Sequence, residues 1–250
     1  MEKTINEYIA EHLREMRLPV FAEEFEKQAQ DPSSTNRSFE ERLKTMVDRE
    51  YDSRTNNTIQ RYIREAKFYD SNANIQEIDY SPERKLDQGL IESLSQNEYI
   101  REGLNVIVVG ASGSGKTWLG CALGVNACMS KYKSRYIRMP ELLSEFEAAR
   151  IRGNYRIFLK KMSHYPLLII DEFLLTAVNE TERNDLLELI EKRTNKKSTI
   201  FCSQWSPEGW YEKLGNGPIA DAILDRINNS SYHLYLQGKS LREKYTKLHK

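Results

Sequence analysis

Cysteine is scarce in this 250-residue chain: Cys121, Cys128 and Cys202 are its three, and no two form a C-x-x-C pair. An odd count without an evident export segment excludes a disulfide framework, so the thiols read as small buried hydrophobes. Histidine is equally thin, and His12, His164, His233 and His249 lack the i, i+4 or short-loop spacing of a metal site, so no structural metal is expected. Long apolar runs are missing too, and none approaches the ~20 residues that cross a bilayer, which removes the membrane from the expected partners. The opening MEKTINEYIAEHLREM has acids where a secretory signal would be apolar, so the expected compartment is the cytoplasm. Finally, neither sign of charge is in excess: 37 Lys and Arg balance 37 Asp and Glu. Any affinity for nucleic acid must come from local segregation of charge. Internal repeats and low-complexity tracts are absent.

What is present is concentrated in GASGSGKT, the residues Gly110, Ala111, Ser112, Gly113, Ser114, Gly115, Lys116 and Thr117, which fit G-x-x-x-x-G-K-[ST] at every fixed position. Positive φ at Gly110, Gly113 and Gly115 would turn consecutive N–H groups toward phosphate oxygens. Lys116 brings a compact positive charge to the β- and γ-phosphates, and the Thr117 hydroxyl suits Mg²⁺. The apolar LNVIVV before the loop reads as a strand, and the run from Thr117 and Trp118 onward reads as a helix whose N-terminus favours anions. The expected ligand is a nucleoside triphosphate with Mg²⁺, held by residues 110–118.

Apolar spacing is helical from Met1 to about Phe68, with Ser38 and Glu41 forming a capping-box pattern before the third helix. Residues 1–68 are therefore expected as a small all-helical module, 69–102 as a polar linker with a short helix, and 103–250 as the nucleotide-binding domain. After the phosphate loop, SRYIRM, PLLIID and STIFCSQ read as strands. They alternate with the helical PELLSEFEAAR, YRIFLKKM and NETERNDLLELIEKR. Such alternation predicts an α/β fold with a parallel sheet. The tail from Pro218 reads as helix, short strand and basic helix.

PLLIIDEF ends a buried strand in two acids at the carboxyl edge of the sheet, where ligands bind in such folds. Asp171 there suits Mg²⁺, and Glu172 is placed to orient and deprotonate a water, or else to solvate the edge. Gln204, after the next strand, either contacts the γ-phosphate or the lytic water, or caps a loop. Tyr99 and Ile100, just upstream, are candidates for contacting the base.

Taken in order, GASGSGKT, PLLIIDEF, FCSQW, GWYEKLG, ADAILDRI and GKSLR, behind a helical N-terminal module, resemble the IstB-type transposition helper ATPases. With the DnaC-type helicase loaders, these belong to the AAA+ initiator clade. The resemblance covers most of the chain from about residue 90 and is strongest from Pro166 to Arg242. It implies a P-loop AAA+ fold, a three-layer αβα parallel sheet with small C-terminal lid elements across 103–250, and ATP hydrolysis. It makes Gln204 a sensor, Arg226 an arginine finger acting in trans and Arg242 the lid arginine, which in turn implies a nucleotide-dependent ring or helical homo-oligomer. Leu174 stands where many relatives have Gly.

Charge is segregated in one window, Met129 to Lys161, whose nine basic residues face three acids. Arg150, Arg152, Arg156, Lys160 and Lys161 lie between the second and third strands, where the initiator clade adds helices lining a DNA channel. The resemblance thus turns a basic face into expected, sequence-tolerant phosphate contacts. A second stripe, Arg54, Arg61, Arg64 and Lys67, either grips DNA or is the wet side of an amphipathic helix. Apolar Ile5, Ile9, Leu13, Phe21 and Phe25 either give this module, expected to bind a partner or DNA, a docking surface or, as expected for most of them, pack its helices together. The expected function is a DNA-dependent ATPase that assembles on duplex DNA and recruits or stimulates a transposase. A helicase loader and a small-molecule kinase are its rivals.

Overall fold

The computed structural model describes residues 3–238 and 240, except the side chain of Thr35. It divides into two compact units, one up to Arg61 and one from Tyr62 onward. Arg242 and the stretch expected as a basic C-terminal helix lie outside the described residues.

The first unit holds α1 (Ile5–Glu15), α2 (Pro19–Gln30), a 3-10 turn (Pro32–Asn36) and most of α3 (Phe39–Ala66), which continues into the second. Its helix ends are closed by side chains. Thr4 and Glu7 form a capping box on α1, and the expected box on α3 is present, with Ser38 N donating to Glu41 (2.9 Å) and Glu41 N to Ser38 Oγ (3.2 Å). Leu18 cannot cap α2, so Glu50 of α3 accepts from the Val20 and Phe21 amides instead, both at 3.0 Å. A second buried acid, Glu24, accepts from Gln28 Nε2 (2.9 Å) and pairs with Arg49. The expectation that apolar residues of α1 pack the module is only partly met: Leu13 is buried, whereas Ile5 and Ile9 are exposed, as are Tyr8 and Met16. With Ala10 and Leu13 its only buried positions, α1 has a narrow inner face and an apolar outer one.

The second unit contains 3-10 turns at Ile75–Glu77 and Pro82–Arg84, then α4 (Gln88–Ser95), α5 (Glu98–Glu102), β1 (Asn105–Gly110), α6 (Lys116–Met129), β2 (Ser134–Arg138) and α7 (Met139–Ile151). There follow α8 (Tyr155–His164), β3 (Leu167–Asp171), α9 (Glu180–Arg193), β4 (Ser198–Ser203), α10 (Pro207–Lys213), α11 (Gly217–Asn228) and β5 (Ser231–Leu236). All five strands pair in parallel, in the order β2-β3-β4-β1-β5. Alternate strand residues feed two apolar cores. Ile107, Ile137, Ile170 and Phe201 pack with α7 to α11, while Val108, Tyr136, Ile169 and Cys202 pack with α4, α5 and α6. This is the expected three-layer αβα arrangement, and burial on both faces explains why the strands read as apolar runs.

Residues 69–102 are not the expected linker. Ala73, Ile91, Leu94, Tyr99 and Ile100 are buried in the α6-side core, so the segment forms one wall of the domain. At the far edge of the sheet, Arg193 of α9 is buried without an acid. It donates to Thr199 Oγ1 (2.9 Å) and to the carbonyls of Met162 (3.0 Å) and Tyr165 (2.9 Å), fastening α8, α9 and β4 together. Burial pulls its guanidinium down to about 9, still above neutrality, so it enters the fold as a cation satisfied by carbonyls.

Candidate nucleotide site

The phosphate loop leaves β1 and enters α6 as expected, with Gly113 (φ 80°) and Gly115 (φ 95°) in the left-handed region. Gly110 is different from the expectation: its φ is not positive, and glycine is required there by space. A Cβ would lie 2.5 Å from Ser114 Oγ and 2.7 Å from the Leu236 carbonyl. Lys116 is buried at the start of α6, where its Nζ donates to the Ala111 carbonyl (2.8 Å). The first amides of α6 and its dipole face the same loop, making it a receptor for phosphate.

Asp171 closes β3 opposite this loop and is buried. Its Oδ2 accepts from Thr117 Oγ1 (2.7 Å) and from the Tyr136 hydroxyl (2.8 Å), and its Oδ1 accepts from the Glu172 amide (2.9 Å). Burial, and then the neighbouring Asp171 carboxylate, push the Tyr136 phenol far above its ordinary range, so it stays a neutral donor. A hydroxyl and a carboxylate held together in this way are the hard oxygen donors that Mg²⁺ takes, alongside phosphate oxygens and water. Among the described residues, no group of three or more His, Cys, Asp or Glu could hold a metal without such help. Bound there with ATP, the ion would neutralise charge on the β- and γ-phosphates.

Glu172 follows with a left-handed backbone (φ 55°), which turns its side chain away from the line of β3. Arg138, the last residue of β2 and the register partner of Asp171, holds it with Nε (3.1 Å) and Nη2 (2.7 Å) on one carboxylate oxygen. That hydrogen bond and the carboxylate charge raise the Arg138 guanidinium further. The backbone stays left-handed at Leu174 (φ 52°), a fully buried side chain. A glycine would fit this conformation without strain, and here leucine offsets the strain by filling the core.

A cavity of about 530 Å³ joins these parts, lined by Gly113, Lys116, Thr117, Asp171, Glu172 and Gln204 among others. Ser112, Gly115 and Trp118 also face it, as do Tyr136 and Arg138, which the sequence reading missed. A second cavity of about 450 Å³ shares Gly115 and Trp118 and is walled by Ile78, Arg84, Leu86 and Leu236. Arg84, also missed, is buried and donates to the Ser114 carbonyl of the loop (3.0 Å). Tyr99 and Ile100, the pair expected to contact the base, are core residues and line neither cavity. Burial raises Cys121 to about 11 and Cys202 well above the usual thiol range, in keeping with inert packing thiols.

The remaining predicted residues stand apart. Arg226, on α11, donates to the Ala222 carbonyl (2.8 Å) and lines neither cavity. Arg152, Arg156, Lys160 and Lys161 are exposed, as is Arg150, which also pairs with the buried Asp185 at 2.6 Å. Arg54 is likewise engaged, by Glu50 at 2.7 Å and by the Arg17 carbonyl. Arg64 and Lys67 are exposed on and just after α3, as is Arg61. Arg150 and Arg54 thus differ from the others in each holding an ion pair within its own unit.

Comparison with known proteins agrees with this geometry. Residues 11–249 match the family described as IstB-like ATP binding protein. The chain is 36% identical over 230 residues to an insertion sequence ATP-binding protein of Sinorhizobium fredii, covering 92% of this chain and 94% of that protein. It is 35% identical over 200 residues to a counterpart from an insertion sequence of Pseudomonas fluorescens, covering 80% and 87%. In fold it is similar to the DnaC helicase loader (TM-score 0.56, 20% identity, 66% of this chain and 97% of that one). It is also similar to the replication initiator DnaA bound to AMPPCP and single-stranded DNA (TM-score 0.57, 17% identity, 71% and 56%). These likenesses carry the AAA+ fold.

Proposed function

As the chain belongs to the IstB-like ATP-binding proteins of insertion sequences, we propose that it hydrolyses ATP with Mg²⁺, assembles as a nucleotide-dependent homo-oligomer on duplex DNA, and recruits or stimulates a transposase. The observation that carries the hydrolytic reading is the convergence of Lys116, Thr117, Asp171 and Glu172 on one cavity, with Gln204 at its rim. Lys116 binds the β- and γ-phosphates, Thr117 and Asp171 hold the cation, and Glu172 orients the attacking water and accepts its proton. No acceptor other than water is needed, which disfavours a metabolite kinase.

Arg226 supports the assembly reading by its position. It lies on α11, away from both cavities of its own chain, as a finger serving a neighbour would. Bound ATP would then bridge subunits, and hydrolysis would release them. Arg152, Arg156, Lys160 and Lys161 supply phosphate contacts. Arg242 in the lid completes the proposal.

Electron microscopy of the protein with ATP or ADP, each with and without duplex DNA, tests the whole reading. Rings or filaments are expected with ATP and DNA, and Lys116→Ala or Asp171→Ala should abolish them. ATP-dependent assembly that survives in either variant overturns it. The loader reading is favoured instead if single-stranded DNA is preferred to duplex.

A further inference from the structure

The turn between α7 and α8 exposes apolar side chains where a water-facing tip would be polar. Ile151 is 81% exposed and Ile157 is 71% exposed, the two most exposed aliphatic side chains among the described residues of the second unit. They flank Arg152-Gly153-Asn154-Tyr155-Arg156, and nothing acidic occurs from Ala148 to Ile170. Arg152 and Arg156 are exposed, and neither forms an ion pair among the described residues. The tip is nevertheless held rigidly from behind. Asp185 of α9, 3% exposed, accepts from Arg150 (2.6 Å) and from the Tyr155 hydroxyl (2.9 Å). Arg150 also lies 5.0 Å over the Tyr155 ring, and Phe146 packs against Tyr155 and Phe158 at 5.7 and 4.9 Å.

A braced hairpin with two bare isoleucines flanking two unpaired arginines has the chemistry of a wedge for duplex DNA. Cations draw the tip onto phosphates, and an apolar side chain gains by leaving water between base pairs, which unstacks a step and kinks the helix. We propose that Ile151 and Ile157 insert into the minor groove and unstack a base step when the protein binds duplex DNA. The inference rests on the DNA-binding reading above and adds deformation to it. Charge favours DNA over a protein partner, because an apolar protein surface would not call for the uncompensated arginines between the two isoleucines. It also favours unstacking over simple backbone contact, for which exposed isoleucine has no use.

The test uses the full chain with ATP and duplexes carrying 2-aminopurine at successive positions, together with end-to-end energy transfer and binding measured across a salt series. Wild type should brighten 2-aminopurine at a defined step and shorten the end-to-end distance. The I151S/I157S pair, both sites being exposed, should keep the wild-type salt slope and lose the brightening and the bend. R152A/R156A should lower the salt slope by about 2, at ~0.9 for each phosphate no longer neutralised. Brightening retained in the isoleucine pair, or absent in a wild type that binds, overturns the wedge alone. Wild type failing to bind duplex at all overturns the DNA-binding reading and the wedge with it.

Discussion

Single positions decide how the site is held. Leu174 is buried in a left-handed conformation, so Leu174→Gly removes strain of ~1–2 kcal/mol but also a buried leucine worth ~2–5 kcal/mol. A net loss of about 2 kcal/mol in urea unfolding is expected, and a stabilised variant would mean that strain dominates. Arg138 grips the acid proposed as base through two N–H groups on one of its carboxylate oxygens, drawing charge from it. Arg138→Ala is therefore expected to raise the DNA-independent rate of ATP hydrolysis and shrink the stimulation by DNA, as steady-state phosphate release would show. Unchanged basal rate and stimulation would count against that role. The phosphate loop and the Asp-Glu pair were legible because their chemistry is written in consecutive residues. Tyr136 and Arg138 were not, since their roles depend on β2 lying beside β3. The available signal was that SRYIR alternates and places both residues on one face, two positions apart at the carboxyl end of the strand.

Among the elements, the first unit is held by acids in places where the second is held by apolar packing. The Gln28 amide and then Arg49 keep the Glu24 carboxyl below its ordinary value. A carboxylate depressed in the folded state stabilises it fully above the unfolded value, about 4.3, and that contribution vanishes as pH falls through the folded value. Helical circular dichroism in urea should therefore show unit-one stability falling as pH drops below about 4.3, and falling less in Glu24→Gln. Trp118, Trp205 and Trp210 all lie in the second unit, so their fluorescence reports that unit separately. An equal fall in the variant would remove Glu24 from the account. The strands and the helices between them were readable because a strand buried on both faces is an apolar run and each is bounded by amphipathic helices. The stretch 69–102 was misread for the converse reason. Its core residues come in short groups, Ala73 alone, Ile91 and Leu94 on α4, Tyr99 and Ile100 on α5, separated by polar stretches that hide their common core.

At the scale of the whole molecule, the proposed intersubunit finger makes a composite site the decisive test. Arg226→Ala should bind ATP and not hydrolyse it, while Lys116→Ala should fail to bind. Mixed, the two should recover activity, because a Lys116→Ala subunit still offers Arg226 to a neighbour whose phosphate loop is intact. A mixture no more active than the sum of its parts would place Arg226 outside the reaction. The order of the sheet carries a separate consequence, for how the chain comes to be folded. β1 lies between β4 and β5, with Val106 opposite Ile200 on one side and Tyr232 on the other. The first strand to leave the ribosome is thus among the last to be paired, since both its partners come from the final quarter of the sequence. Such long-range closure makes folding slow, and it leaves the apolar NVIVV stretch unpaired through most of synthesis, the interval in which a nascent chain most needs protection from aggregation.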